Sequence, residues 1–185
     1  AGTSAEATGE NSTAVGVNSS AWGDGSTALG QNTTAVGITA TSVGNGNTAT
    51  GNFSTAIGVG SSSAGTSALA AGRTANAAGN SSVALGHDVV ASATDTVAIG
   101  HTSSAVGPAS VSIGANTTST GQGSFSGGAN GITNGQGSVA IGNAAPMAKL
   151  AAEAAAAISG LAARVSPSDT ACTHGKGAFA ARTCA

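Results

Sequence analysis

Arg73, His87 and His101 stand fourteen residues apart, a spacing that would stack them about 4.8 Å apart if the chain coils with that period. Two imidazoles and a guanidinium so placed could take a metal ion or an anion, although adjacent imidazolium charges would repel each other. No third metal ligand joins them, so the column reads as a solvated turn edge, and neither a metal nor a cofactor is expected. The acids Asp24, Asp88 and Asp95 form no close pair for general acid–base work. Gly-x-Gly pairs such as Gly23 and Gly25 or Gly44 and Gly46 have no strand–turn–helix context, and Thr170 stands where a phosphate loop leading to Gly175-Lys176 would need glycine. Asn-x-Ser/Thr sequons at Asn11, Asn18, Asn32, Asn52, Asn80 and Asn116 make glycosylation possible, but the repeat itself generates them. Cys172 and Cys184, with eleven residues between them, allow an intrachain disulfide in an oxidising compartment, a cross-link between chains, or two free thiols. No catalytic constellation emerges, and an enzyme is not expected.

The elements that position these side chains follow from a repeat. Glycine occupies every seventh position from Gly2 to Gly142 with the single exception of Ala93. Glycine suits such bends because it accepts positive φ and close backbone approach. A heptad can also mean a coiled coil, but that needs two apolar positions per heptad in good helix formers, and these heptads are rich in Ser, Thr, Asn and Val. Comparing alternate heptads lengthens the unit to fourteen: Val15, Leu29, Val43, Ile57, Ala71, Leu85, Ile99, Ile113, Gly127 and Ile141 precede glycine in one set, and mostly small or polar residues do so in the other. Val97 and Ile99 alternate with Thr96 and Ala98, the period of a strand. The expected fold is all-β, a parallel β-roll or solenoid of about ten coils over residues 11–143, with the aliphatic residues filling the inside. So thin a rod buries little, and a homo-oligomer with closed symmetry is expected to complete its core.

Along the chain, residues 1–10 read as a cap or degenerate coil, and residues 121–136 as a bulged or looser one. The position three before glycine is threonine at Thr13, Thr27, Thr41 and Thr55, then Leu69, Val83, Val97, Val111, Phe125 and Val139, which predicts a less hydrophobic core in the early coils. Residues 144–167 are alanine-rich and open with Pro146, a short helix that could start a coiled coil. Residues 168–185 form a cysteine-containing tail expected to be poorly ordered. The chain starts at Ala1 and shows no signal peptide, so a mature product or excised fragment is expected. It has no apolar run of 18 residues, and direct membrane insertion by this segment is not expected. A net charge of −2 gives no electrostatic case for nucleic acid.

Ser138-Val139-Ala140-Ile141-Gly142 and the run from Thr96 to Gly107 resemble the fourteen-residue repeat of the head domains of trimeric autotransporter adhesins, typified by the YadA head. The resemblance covers about residues 11–143 and implies a left-handed parallel β-roll, a homotrimer, a bacterial cell surface location anchored in the outer membrane, and attachment to extracellular-matrix proteins, cell-surface receptors or other surfaces. The family's Asp-Ala-Val-Asn-like neck and extended stalk are not found. Matrix binding in the family is associated with the repeated motif, which here implies contacts from Asn80, Ser81, Ser82, Ala84, Ser138 and Ala140, with Val83, Leu85, Val139 and Ile141 assigned to the core. Two alternatives stand beside an adhesive head: an ice-binding solenoid, suggested by the threonine column, and a structural spacer without its own ligand.

Overall fold

The computed structural model describes residues 3–143; the alanine-rich segment, Cys172 and Cys184 lie outside the described residues. Among these residues there is no helix, and twenty strands form two ten-stranded parallel sheets. Five-residue strands such as Thr27–Gln31, Val83–His87 and Val97–His101 make one sheet, and two-residue strands such as Thr34–Ala35 and Val90–Ala91 make the other. Every ladder joins residue i to residue i+14, as in Val83↔Val97 and His87↔His101. Each coil therefore contributes one long and one short strand, and the chain is a parallel β-solenoid.

Two corners close each coil, and both hold the backbone in the left-handed region. At one corner the residue is Asn18, Asn32, Thr74, Asp88, Thr102, Asn116 or Asn130. At the other it is Asn11, Thr39, Phe53, Ser67, Ser81, Asp95 or Ala109, with Gly25, Gly123 and Gly137 also taking part. Asn and Asp tolerate this conformation better than other side chains, which explains their abundance. The corner amides bond back to the preceding coil, for example Asp88 N to Arg73 O at 3.0 Å and Asp95 N to Asn80 O at 2.9 Å. The hydrogen-bond ladder thus continues around the turns as well as along the strands.

The seventh-residue glycines serve a related need. A Cβ at Gly100, where φ is 127°, would lie 2.0 Å from the carbonyl oxygen of Gly114, and one at Gly65, whose φ is not positive, 1.9 Å from that of Gly79. Close approach between coils requires glycine in both columns, and positive φ in only one.

The inside of the coil is not aliphatic. Ala28, Ala56, Ala70, Ala84 and Ala98 are fully buried on the inner face of the long strands, with Ser42, Ser112 and Ser126 in the same column. The short strands turn Ala21, Ala35, Ala77, Ala91 and Ala105 inward to meet them. Val89, Asn47 and Thr33 are the largest fully buried side chains. The expectation that Val83, Leu85, Val139 and Ile141 fill the core is corrected: they point outward, Val139 with 53% and Ile141 with 71% of its surface exposed, while Val83 and Leu85 are half-buried. Alanine and serine from the long strands meet alanine and serine from the short strands across the coil, so only small residues fit between the two sheets. The Thr13 to Val139 column also stands outside, so the change from threonine to aliphatic does not alter the core. Residues 121–136 contain no bulge; Phe125–Ala129 pairs in register with both neighbouring long strands. Glu6–Ala7 pairs in the same parallel manner with Ser20–Ala21.

Inward serines divide into two groups. The hydroxyls of Ser26, Ser54, Ser103 and Ser126 are buried with no partner, whereas Ser42 Oγ donates to Asn47 O and Ser63 Oγ to Ala68 O, each at 3.1 Å. Asn47 bonds through both ends of its amide. Its Nδ2 donates to Val43 O at 2.6 Å and Gly58 O at 2.7 Å, and its Oδ1 accepts from Ser61 N at 2.8 Å.

Candidate functional site

Inward placement of Ser and Ala turns three of the six expected ligand contacts away from solvent. Ser82 and Ala84 are fully buried and Ala140 is 5% exposed, so none offers a side chain to a ligand. Ser138 is half-buried, whereas Asn80 and Ser81 are exposed at a corner. Asn80 Oδ1 accepts from Thr66 N at 3.0 Å, an inter-coil bond that occupies one of its oxygen lone pairs.

Arg73, His87 and His101 are consecutive partners at the C-terminal ends of three long strands. The two imidazole centroids lie 4.9 Å apart, tilted by 31°. His87 Nε2 faces two groups, the Arg73 guanidinium and Asp88 Oδ2, the latter at 3.1 Å. With its proton on Nδ1 the ring accepts from Arg73; with a proton on Nε2 it donates to Asp88. Asp88 also accepts from the Thr74 hydroxyl one coil below. That bond is the main cause of an Asp88 pKa below the ordinary 3.8; desolvation opposes it, and the positive charges of His87, Arg73 and His101 lower the pKa further. The cluster is a charge-compensated network on solvent-facing strand ends. Among the described residues no group of three or more His, Cys, Asp or Glu side chains converges as a metal cage.

The most extensive surface is apolar. Along the outer face of the long strands Val15, Leu29, Ile57, Ile113 and Ile141 stand in one column, from 37% to 71% exposed, beside the column that runs from Thr13 through Leu69 and Val97 to Val139. Thr13, Thr27, Thr41 and Thr55 are in register there, an array that ends at Leu69. Alanine and serine already close the core of each coil, so among the described residues these side chains are left facing outward. Single exposed aliphatics are ordinary, but a continuous face of them marks an interaction surface. The period and the side-chain alternation were readable before the fold was known; the direction of that face was not.

No helix among the described residues is long and apolar enough to cross a membrane. The family model for the YadA head domain repeat (2 copies) matches residues 7–33, 35–61, 63–88 and 91–117, more than half of the chain. No curated protein matches it.

Proposed function

Because the chain belongs to the YadA head domain family, we propose that it is the adhesive head of a trimeric autotransporter on a bacterial surface, joined to two copies of itself through the outward aliphatic columns. The observation that carries this reading is the outward column of Val, Leu and Ile, interrupted at Ala71 and Gly127, over a core already closed by alanine and serine. Burying a Val, Leu or Ile side chain contributes roughly 1.5–3 kcal/mol when complete, and these are about half exposed, so a face repeated over about ten coils has ample driving force for assembly. Around such a trimer the remaining faces repeat every coil and carry little charge. They suit attachment to matrix proteins, cell-surface receptors or other surfaces through many weak contacts whose effect multiplies with copy number.

Light scattering tests the assembly. The expected mass is three times 16.9 kDa, and Ile113→Asp, which brings a carboxylate to the shared face from each chain, should dissociate it. Beads coated with the chain should then be retained on matrix-coated surfaces, and beads carrying the dissociated variant should wash off. A folded wild-type monomer of 16.9 kDa would overturn the assembly, and wild-type beads that never adhere would overturn the adhesive role.

A further inference from the structure

One cluster on the opposite sheet is unlike the rest of the surface. Trp22, the only tryptophan of the chain, is 49% exposed, and Val36 follows it one coil later in the same column. Two residues further along those coils stand Asp24 and Ile38, again stacked, and Phe53 rises on the next coil, its amide donating to Ile38 O at 2.8 Å. Ile38 and Phe53 are 48% and 60% exposed. Phe53 is also conformationally anomalous. Its φ is 59°, at a corner where the neighbouring coils place Thr39 and Ser67. A bulky side chain is strained in that region, and strain persists where function demands it. Among the described residues its burial does not repay that strain, because the ring is largely in solvent.

Charge indicates what covers the patch. Residues 1–72 contain Glu6, Glu10 and Asp24 and no Lys, Arg or His. All three acids are exposed, and Asp24 sits beside Trp22 with Oδ1 accepting from Glu10 N at 2.9 Å, which leaves Oδ2 available. We infer that this patch is a docking site for an extended cationic peptide segment, with an arginine or lysine on Trp22 paired to Asp24 and an apolar side chain on Ile38 and Phe53. A cation within about 6 Å of an indole face is attracted by the ring, and a carboxylate beside it supplies the counter-charge. Successive coils are about 4.8 Å apart, and alternate side chains of an extended peptide about 7 Å apart, so a basic residue followed two positions later by an apolar one spans the patch. The inference rests on the reading of the chain as a binding head and gives it a partner chemistry.

Trp22 is its own reporter. The full chain is titrated with the capped peptide Arg-Ser-Leu-Ser, and Trp22 emission is followed. A saturable change is expected, weakened about tenfold in Asp24→Asn and in Phe53→Asn. Asparagine suits the left-handed corner, so Phe53→Asn should keep its circular dichroism spectrum and melt no lower than wild type. An unresponsive Trp22, an equal response to Glu-Ser-Leu-Ser, or undiminished binding in both variants would overturn the site. Wild-type beads that adhere without peptide binding would remove the patch and leave the adhesive reading intact; peptide binding by beads that fail to adhere would do the reverse.

Discussion

Replacing Ala93 with glycine should stabilise the protein, contrary to the usual effect of glycine. Ala93 is the one departure from the glycine column of its turn. In the preceding coil Gly79 N donates to Ala91 O and Ser82 N to Gly79 O, each at 3.3 Å, and the following coil has the same pair at Gly107 and Ser110. At Ala93 both backbone bonds are missing, and only the Thr96 hydroxyl reaches Ala93 O, at 2.7 Å, as the Ser82 hydroxyl reaches Gly79 O at 2.6 Å. The cause is steric. A Cβ on the glycines of this column from Gly9 to Gly121 meets the carbonyl of the next coil, 2.1 Å away for Gly51 and 2.4 Å for Gly107, so the Ala93 turn must open to make room. Two recovered backbone bonds contribute roughly 0.5–1.5 kcal/mol each. The added chain entropy of glycine costs about 0.5–1 kcal/mol. The net expectation is a gain of about 1 kcal/mol, or a melting temperature higher by about 2–4 °C for a chain of this size. Thermal melts at matched protein concentration, to hold the assembly equilibrium constant, measure it, and hydrogen exchange should show new protection at the amides of residues 93 and 96. The partner experiment is Gly79→Ala, whose Cβ would sit 1.9 Å from Ala93 O and which should lose about 3 kcal/mol. If Ala93→Gly melts below wild type and those amides stay unprotected, the steric account of the glycine columns is wrong.

Other expectations follow from the same core. Ser54→Ala should be neutral or stabilising by about 1 kcal/mol, because its buried hydroxyl has no partner and Ala40 and Ala68 hold the equivalent place in the flanking coils; a clear fall in the urea midpoint would contradict it. Asn47→Ala should cost about 3 kcal/mol by stranding Val43 O, Gly58 O and Ser61 N. Asn47→Ser should recover part of that, since Ser61 bonds the equivalent carbonyls of Ile57 and Gly72 in the next coil, and denaturant melts of the two variants rank them. Asp88 has a folded pKa below its unfolded value, so its contribution to stability is present above pH 3.8 and fades as the pH falls through the lower folded value. Carbon-detected NMR titration should show the Asp88 pKa rising toward 3.8 in Thr74→Val, which removes the main cause of the shift.

The fourteen-residue period, parallel stacking and i to i+14 register were all legible in the sequence because each coil repeats the same small set of choices. The inward face was not, because alternation separates two faces without saying which is buried. Size provides the missing signal. The column of Ala28, Ser42, Ala56, Ala70 and Ala84 admits only alanine and serine, whereas the column one residue later ranges from Gly127 to Leu85. A position that tolerates glycine and leucine alike does not lie in a gap one methyl group wide. The corners were obscured for a different reason. The glycine beat drew attention to the close contacts, while the left-handed bends were carried by Asn, Asp and Thr between the beats. Trp22 and Phe53 carried no such pattern, because which corner residues adjoin which strands needed the fold.

Because every ladder joins a coil only to the coils directly above and below it, the solenoid has no closure condition along its axis. Fourteen residues can be removed or duplicated without altering any other pairing, and the sole penalty falls at the new junction. A lineage carrying such a head can therefore lengthen or shorten its reach by unequal recombination between near-identical repeats. Within a coil, the outward position occupied by Gln31, Asn45, Val59, Arg73 and His87 takes a different residue in each of those five coils, while the inner alanines and glycines scarcely change. Selection can rewrite the exterior one side chain at a time against an interior that does not register the change.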